Sequence, residues 1–555
     1  MTTSASAATA PLIIPGLKAG LDFLAALSPS PPVIGQQISR LLDSLLQVPP
    51  PPDDFFRLLE QLNAPLYFAG ESQARRYTNK ALPLDAEEEA VFNSVVTLWR
   101  KMLRAYSRCA QLGNNDVQNP HQAKRLATIL HRCLHYTGQI ILEHYRARRE
   151  QPEGIWMELH GYFDTAQEWD VIKLPVEEVG GSAQTRTNCI AAYSTQLLLE
   201  IANPYGRSVR DLKLISLWAN QWGMLVHIRK PQHDETLPAM VIDLMQDKPL
   251  SPGHEAGGRT ASTRHLETSE LVTQLEQSMH QLDQKQEPAA LGLGDDSPAH
   301  IRDLLHQLLT PWSLKTIVRR FRRFPCAGKS HVAVGFEAMH YFISGQEFDP
   351  HRLQSVTYSG TDPRQLESLH YHLDRRQEAL HPGKTTLPAS PRYDSAEWEV
   401  LDQSATGFRL RAARPRQTIR HGQLLAILPH DGQLFLLCQA VWLMQENSGA
   451  LVVGGITVLP GLPSSVGVRS IGVSSVAART FIRAFFLPDL SGKQASLVLP
   501  LGYFRPADLL EVVDAQEDGS ARRWNVQMKS VLRRGTDFEH VLVEQISVPP
   551  RPVIR

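Results

Sequence analysis

The chain has no surplus of either charge: 57 lysines and arginines stand against 57 aspartates and glutamates, a formal net charge of zero at pH 7. With no global field to draw it to nucleic acid or an anionic membrane, any anion binding must come from a local cluster. Cysteine is scarce. The five residues, Cys109, Cys133, Cys189, Cys326 and Cys438, are odd in number, far apart and never in a C-x-x-C pair. That argues against a disulfide framework or a zinc knuckle and leaves reduced thiols as the expectation. No apolar run approaches the ~20 residues of a spanning helix. Met1 to Ala10 is small and polar without a basic region, and Pro11-Leu12-Ile13-Ile14 is too short for a signal core. A cytoplasmic protein with no transmembrane segment is therefore expected. There is no Walker loop, no G-x-S-x-G, no H-E-x-x-H and no evident Cys/His pair, so no enzyme is expected and no catalytic residue is assigned.

What is present is 555 residues with 42 % hydrophobic content, enough for roughly three or four domains with substantial cores. After a disordered start at 1–15, residues 16–245 read as a helical domain, either a bundle or an array of helix hairpins. Apolar residues recur at three- and four-residue spacing, broken at proline clusters. Gln36 to Gln47 ends at Pro49-Pro50-Pro51-Pro52, and Asp53 is expected to cap a helix from Asp54 to Leu62. Ala86 to Gly113, His121 to Arg149, Trp156 to Trp169, Asn188 to Ile201 and Val209 to His227 continue the series. Trp99, Trp156, Trp169, Trp218 and Trp222 read as packing residues. His131 and His135 are one turn apart with His144 beyond, but neither a zincin Glu nor a third ligand accompanies them, so no metal is assigned. Ala239 to Leu244 reads as a lone strand. Residues 246–299 read as linker around a short helix, Ser269 to Leu282.

The stretch from Trp398 to Gly461 carries the strongest strand signal. Apolar runs at Gly422 to Ile427, Leu434 to Cys438 and Leu451 to Val453 are separated by His430-Asp431-Gly432 and Glu446-Asn447-Ser448-Gly449, the spacing of a small antiparallel barrel. At the end of its first strand stands Asp402-Gln403-Ser404-Ala405-Thr406-Gly407. The carboxylate and hydroxyl, at alternate positions, share one side of the turn, and Gly407 admits a ligand or a strand close to the backbone. An ordinary hairpin turn uses the same residue types. Upstream, Ile317 to Phe324 holds Arg319, Arg320, Arg322 and Arg323, and a strand is expected at His331 to Phe336. A guanidinium fork can bond guanine O6 and N7, stack on a base or clamp a phosphate.

These features resemble the PilZ domains, six-stranded barrels that bind cyclic di-GMP through an R-x-x-x-R segment and a D-x-S-x-x-G turn. Arg319 and Arg323 fit the first signature, and Asp402, Ser404 and Gly407 the second. Phe408-Arg409-Leu410, Arg420 to Leu424, Ala440-Val441-Trp442 and Gly454-Gly455-Ile456 follow the family pattern in order. The resemblance implies a cyclic di-GMP site at Arg319, Arg320, Arg323, Asp402, Ser404 and Gly407, with the nucleotide as ligand and no cofactor. Arg323 and Asp402 are 79 residues apart, so a PilZ-like barrel over 300–470 would carry an insertion at about 345–396, with a helical piece at Gln365 to Ala379. Strand runs at Thr480 to Leu487, Ser496 to Leu499, Leu509 to Val513, Trp524 to Met528 and His540 to Gln545 make 471–555 a second small β-barrel.

The expected architecture is thus a multi-domain α+β chain, helical first and then two barrels. The expected function is that of a non-catalytic cyclic di-GMP receptor that couples the messenger to a protein partner through the helical domain, in motility or biofilm regulation. Two other readings remain open. The chain could be a protein scaffold whose degenerate PilZ-like barrel binds no nucleotide, or the run Arg319 to Arg323 could contact nucleic acid, which is not the expectation.

Overall fold

The computed structural model describes residues 14–113, 116–179, 186–232, 238–253, 260–315, 321–355, 392–413, 415, 417–447, 451–471, 480–488, 495–515 and 521–546. Contacts divide the chain into two compact units, Met1–Lys80 with Leu84–Arg319, and Ala81–Pro83 with Arg320–Arg555.

In the first unit the helices are α1 (Leu17–Ala25), α2 (Pro31–Gln47), α3 (Pro52–Ala74), α4 (Ala86–Leu112), α5 (Pro120–Arg146), α6 (Ile155–Glu168), α7 (Cys189–Ile201), α8 (Val209–Trp222), α9 (Ser269–Asp283) and α10 (Pro298–Trp312). Local chemistry sets several boundaries. Asp85 and Glu88 form a reciprocal capping box at α4, Asn119 caps α5 just before its Pro120, and Asn188 caps α7. Asp53 is not a cap. The cap position falls on Pro51, so Asp53 and Asp54 occupy the first turn of α3, where a carboxylate meets the positive end of the helix dipole. Nor does α3 stop at Leu62. It continues through Pro65 because Leu62, Leu66, Ala69 and Gly70 form a buried stripe, and packing outweighs the one hydrogen bond that proline removes.

The helices pack chiefly on their neighbours in sequence, α2 on α3 and α4, α4 on α5, α5 on α6 and α7, and α7 on α8. Four of the five tryptophans read as packing residues are buried: Trp99, Trp156, Trp218 and Trp222. Trp169 is half-buried. His131 is buried against Arg132, whose guanidinium also grips Glu60 at 2.9 and 3.0 Å. Pairing with the part-exposed Glu60 is what makes burial of the Arg132 charge tolerable.

The expected lone strand has company. Two short strands, β1 (Val176–Glu177) and β2 (Arg186–Thr187), pair with each other, and β3 (His227–Arg229), β4 (Met240–Asp243), β5 (Ser251–Pro252) and β6 (Thr263–Glu267) form a sheet in the order β3-β6-β4-β5. His227 is accordingly strand, not the end of a helix. In place of linker, the described parts of 246–299 are folded in: Trp218 Nε1 donates to the Leu293 carbonyl at 3.1 Å, and Leu293 is buried.

The second unit contains two closed antiparallel barrels. The first joins β7 (Phe324–Val334) to β8 (Ala396–Ser404), β9 (Gly407–Ala413), β10 (Leu424–Leu428), β11 (Leu436–Gln445) and β12 (Leu451–Val458), in the order β10-β11-β12-β9-β8-β7. The second joins β13 (Ser464–Ile471), β14 (Ile482–Leu487), β15 (Ser496–Pro500), β16 (Leu509–Ala515), β17 (Ala521–Arg534) and β18 (Phe538–Ile546), in the order β13-β14-β15-β18-β17-β16. Ser464–Ile471, assigned from sequence to the first barrel, pairs into the second.

Because β7 pairs directly with β8, residues 335–395 interrupt a single hairpin. The expected strand through Phe336 ends at Val334. Gly335, at φ +88°, breaks the extended chain, and α11 (Phe336–Ser344) follows, with α12 (Pro350–Ser355) after it. The expected helical piece at Gln365 to Ala379 lies outside the described residues. Met339 and Phe342 of α11 join Leu424, Leu437, Phe485 and Phe538 in one buried cluster spanning both barrels. Hydrogen bonds also join the barrels: Leu424 N–H donates to the Asp537 carboxylate at 2.9 Å and Thr536 N–H to the Gly422 carbonyl at 3.0 Å.

Candidate functional site

Along β9 the alternation is plain: Phe408, Leu410 and Ala412 are buried, whereas Arg409 is exposed. Simple alternation along β8 would put Asp402 inside with Trp398 and Val400, both buried. A bulge prevents this. Val400 opposes Leu410 but Asp402 opposes Arg409, so Leu401 is an extra residue and Asp402 turns outward. The same happens on β11, where Ala440 opposes Ile456 and Trp442 opposes Gly455, which makes Val441 the extra residue. On β7 the register shifts between Pro325 and Gly328. Together these bulges align Pro325, Asp402, Arg409, Gly455 and Trp442 in one row across five strands on the barrel's outer face.

Within that row Arg323 Nη1 meets Asp402 Oδ1 at 2.5 Å, in a half-buried ion pair. The Ser404 hydroxyl donates to the Gly407 carbonyl at 3.3 Å across the two-residue turn. The guanidinium of Arg409 lies 5.8 Å from the Trp442 ring centre, within cation–π range. The indole packs against Gly455, where a Cβ would stand 1.9 Å from its Nε1. Arg322 stacks on Phe324, itself 54 % exposed, with 5.4 Å between guanidinium and ring centre. The face thus offers cations, a carboxylate and a flat indole, the groups that grip phosphates, hydrogen-bond base edges and stack on purines.

Gly407 has a steric role. Its Cβ would stand 2.2 Å from the Ile456 carbonyl oxygen, so the close approach foreseen from sequence is made by a neighbouring strand. Gly407→Ala is expected to lower stability by about 1 to 3 kcal/mol through strain, read as a fall in the urea midpoint of the full chain.

Of the residues named from sequence, Arg323, Asp402, Ser404 and Gly407 come together at one hairpin. Arg319 and Arg320 lie outside the described residues. Arg323 leads straight into β7, which starts at Phe324 rather than His331. Sequence reasoning noted Trp442 and Gly455 only as strand pattern. Their place beside Asp402 follows from strand order and bulges, and the surviving signal is a tryptophan opposite a glycine pair. The face is open. Among the described residues a cleft of about 700 Å³ lies elsewhere, in the first unit, lined by α2, α3 and α4.

The fold and this face define a PilZ-type barrel protein with a helical unit before the barrel and a second barrel after it. The chain belongs to the PilZ-domain cyclic di-GMP receptor family. A family model described as "Cyclic-di-GMP receptor FimW, N-terminal domain" matches residues 20–233, and one described as "Cyclic-di-GMP receptor FimW, middle PilZ domain" matches 239–356. The hairpin with Asp402 and Ser404 falls beyond both matches. A curated relative, "Cyclic-di-GMP receptor FimW" of Pseudomonas aeruginosa, is 20 % identical over 550 residues, covering 93 % of this chain and 88 % of its own. No solved structure matches the chain. Among the described residues no helix is long and apolar enough to cross a membrane.

Proposed function

We propose that the protein is a non-catalytic receptor for cyclic di-GMP, bound on the outer face of the first barrel by Asp402 and Ser404 with Arg319, Arg320 and Arg323, while Gly407 holds the hairpin. The observation that carries this reading is the outward row from Asp402 through Arg409 to Trp442, with Arg323 on its carboxylate. Three bulges are spent on exposing it, and bulges concentrate beside functional sites. Asp402 can accept from a guanine edge, the arginines can take phosphate or stack, and Trp442 gives a base a flat partner against Gly455. The family and the curated relative's name support the same ligand. The helical unit would pass the signal to a protein partner, in control of motility or surface attachment.

Calorimetric titration of the full chain with cyclic di-GMP tests the reading. Saturable binding is expected, and a titration without heat or competition would leave the scaffold role instead. The affinity should change little with salt. A cyclic dinucleotide carries two phosphates and no condensed counterion cloud, whereas a bound polymer's affinity would fall about 10³- to 10⁵-fold between about 50 and 200 mM salt. A steep slope with single-stranded RNA or DNA, and no response to the dinucleotide, would make the arginines a nucleic-acid contact.

A further inference from the structure

The sequence shows no Cys/His pair because its members are 104 residues apart, yet the fold sets Cys326 Sγ 3.3 Å from His430 Nε2. The arrangement is built rather than accidental. Cys326 stands in the β7 bulge, half-exposed, and the imidazole rests on Gly328, where a Cβ would come 2.6 Å from the ring. Asp431 places a carboxylate oxygen 3.7 Å from the other ring nitrogen, Nδ1. The remaining cysteines are buried. Burial pushes the thiols of Cys109, Cys133, Cys189 and Cys438 up, Cys189 to about 12. A thiol with an adjacent base and solvent access has the microenvironment of a reactive cysteine. Cys326 also follows Pro325, the cross-strand partner of Asp402.

We propose that Cys326 is a thiol–disulfide exchange site, with His430 as its base, whose mixed disulfide with a low-molecular-weight thiol closes the neighbouring face to the dinucleotide. In the forward step His430 Nε2 takes the thiol proton and Asp431 faces the imidazolium. The thiolate sulfur bonds to one sulfur of a small disulfide such as glutathione disulfide, and that disulfide's S–S bond breaks. The departing thiolate takes the proton back from His430 and leaves as a thiol, so the protein sulfur is oxidised and the departing sulfur reduced. Excess small thiol reverses the exchange. A glutathionyl group brings bulk and two carboxylates next to a site for a dianion, and repels it.

The closure, though not the exchange, rests on the dinucleotide reading above. The test treats the full chain with glutathione disulfide, follows intact mass, and titrates modified and reduced protein with cyclic di-GMP. One reversible adduct is expected, absent in Cys326→Ser and formed about tenfold or more slowly in His430→Gln. The adduct should weaken dinucleotide binding at least tenfold, and a thiol reductant should restore it, while Cys326→Ser stays insensitive. An adduct elsewhere, or an unchanged rate in His430→Gln, would overturn the exchange site. An adduct at Cys326 with native affinity would overturn the closure. If unmodified protein bound no dinucleotide, the receptor reading and the closure would fall together, and the mass measurement would still decide the exchange.

Discussion

Replacing Asp402 and Ser404 together by alanine is expected to weaken cyclic di-GMP binding by about 2 to 5 kcal/mol, the scale of losing one charge-assisted and one neutral hydrogen bond at a part-buried site. The fold should survive. Asp402 faces outward and its partner Arg323 is part exposed, so the freed guanidinium finds water. The Ser404 bond to the Gly407 carbonyl is long, at 3.3 Å, and contributes no more than about 1 kcal/mol. Calorimetry with a melting curve on the same sample separates the two effects. Since Arg323 and Asp402 are in contact, Arg323→Ala should not add its full cost to Asp402→Ala, and a double-mutant cycle would measure that coupling. Native affinity in a folded double variant would remove both residues from the site.

Much of the helical unit was legible because its signals are local. Asp85 with Glu88, and Asn119 before Pro120, mark helix starts within four residues, and the apolar stripes of α4 and α5 repeat for seven turns. The D-x-S-x-x-G hairpin was equally local, and Asp402 and Ser404 do share a side. Which side they share was not legible, because it depends on whether Leu401 is an extra residue, and a bulge is defined only by the strand opposite. The same non-locality hid the four-stranded sheet, whose strands are two to five residues long, and the approach of His430 to Cys326. The helix α11 was missed for another reason. Phe336-Glu337-Ala338-Met339 continues an apolar run from β7, and only the conformation of Gly335 separates strand from helix.

Below neutral pH the second unit is expected to lose on the order of 4 kcal/mol of stability by pH 5, because two histidines are buried in neutral form. His340 of α11 packs on Phe348 and Phe485, places Nε2 3.4 Å from the Val466 carbonyl and leaves Nδ1 buried without a hydrogen-bond partner. Burial, with Arg483 nearby, lowers its pKa to about 4. His540 of β18, 2.8 Å from the Ser496 hydroxyl, is likewise lowered to about 4 by burial and by Arg533. In the unfolded chain both titrate near 6.5. Above that value histidine is neutral in both states and its contribution is flat. As pH falls from about 6.5 to about 4 the unfolded chain takes up protons the folded one refuses, which costs about 2 kcal/mol per residue at pH 5. Asp537 works in the opposite direction. Burial raises its pKa, so acid favours its folded state and offsets part of the histidine loss. Urea midpoints of the second barrel's transition, taken between about pH 7.5 and about pH 5, would measure the slope. His340→Leu, which removes the buried titratable ring and keeps an apolar side chain, should roughly halve it while His540 still titrates. A midpoint unchanged across this range in the native chain, or a slope unaltered in His340→Leu, would show that these rings take up protons without unfolding the barrels.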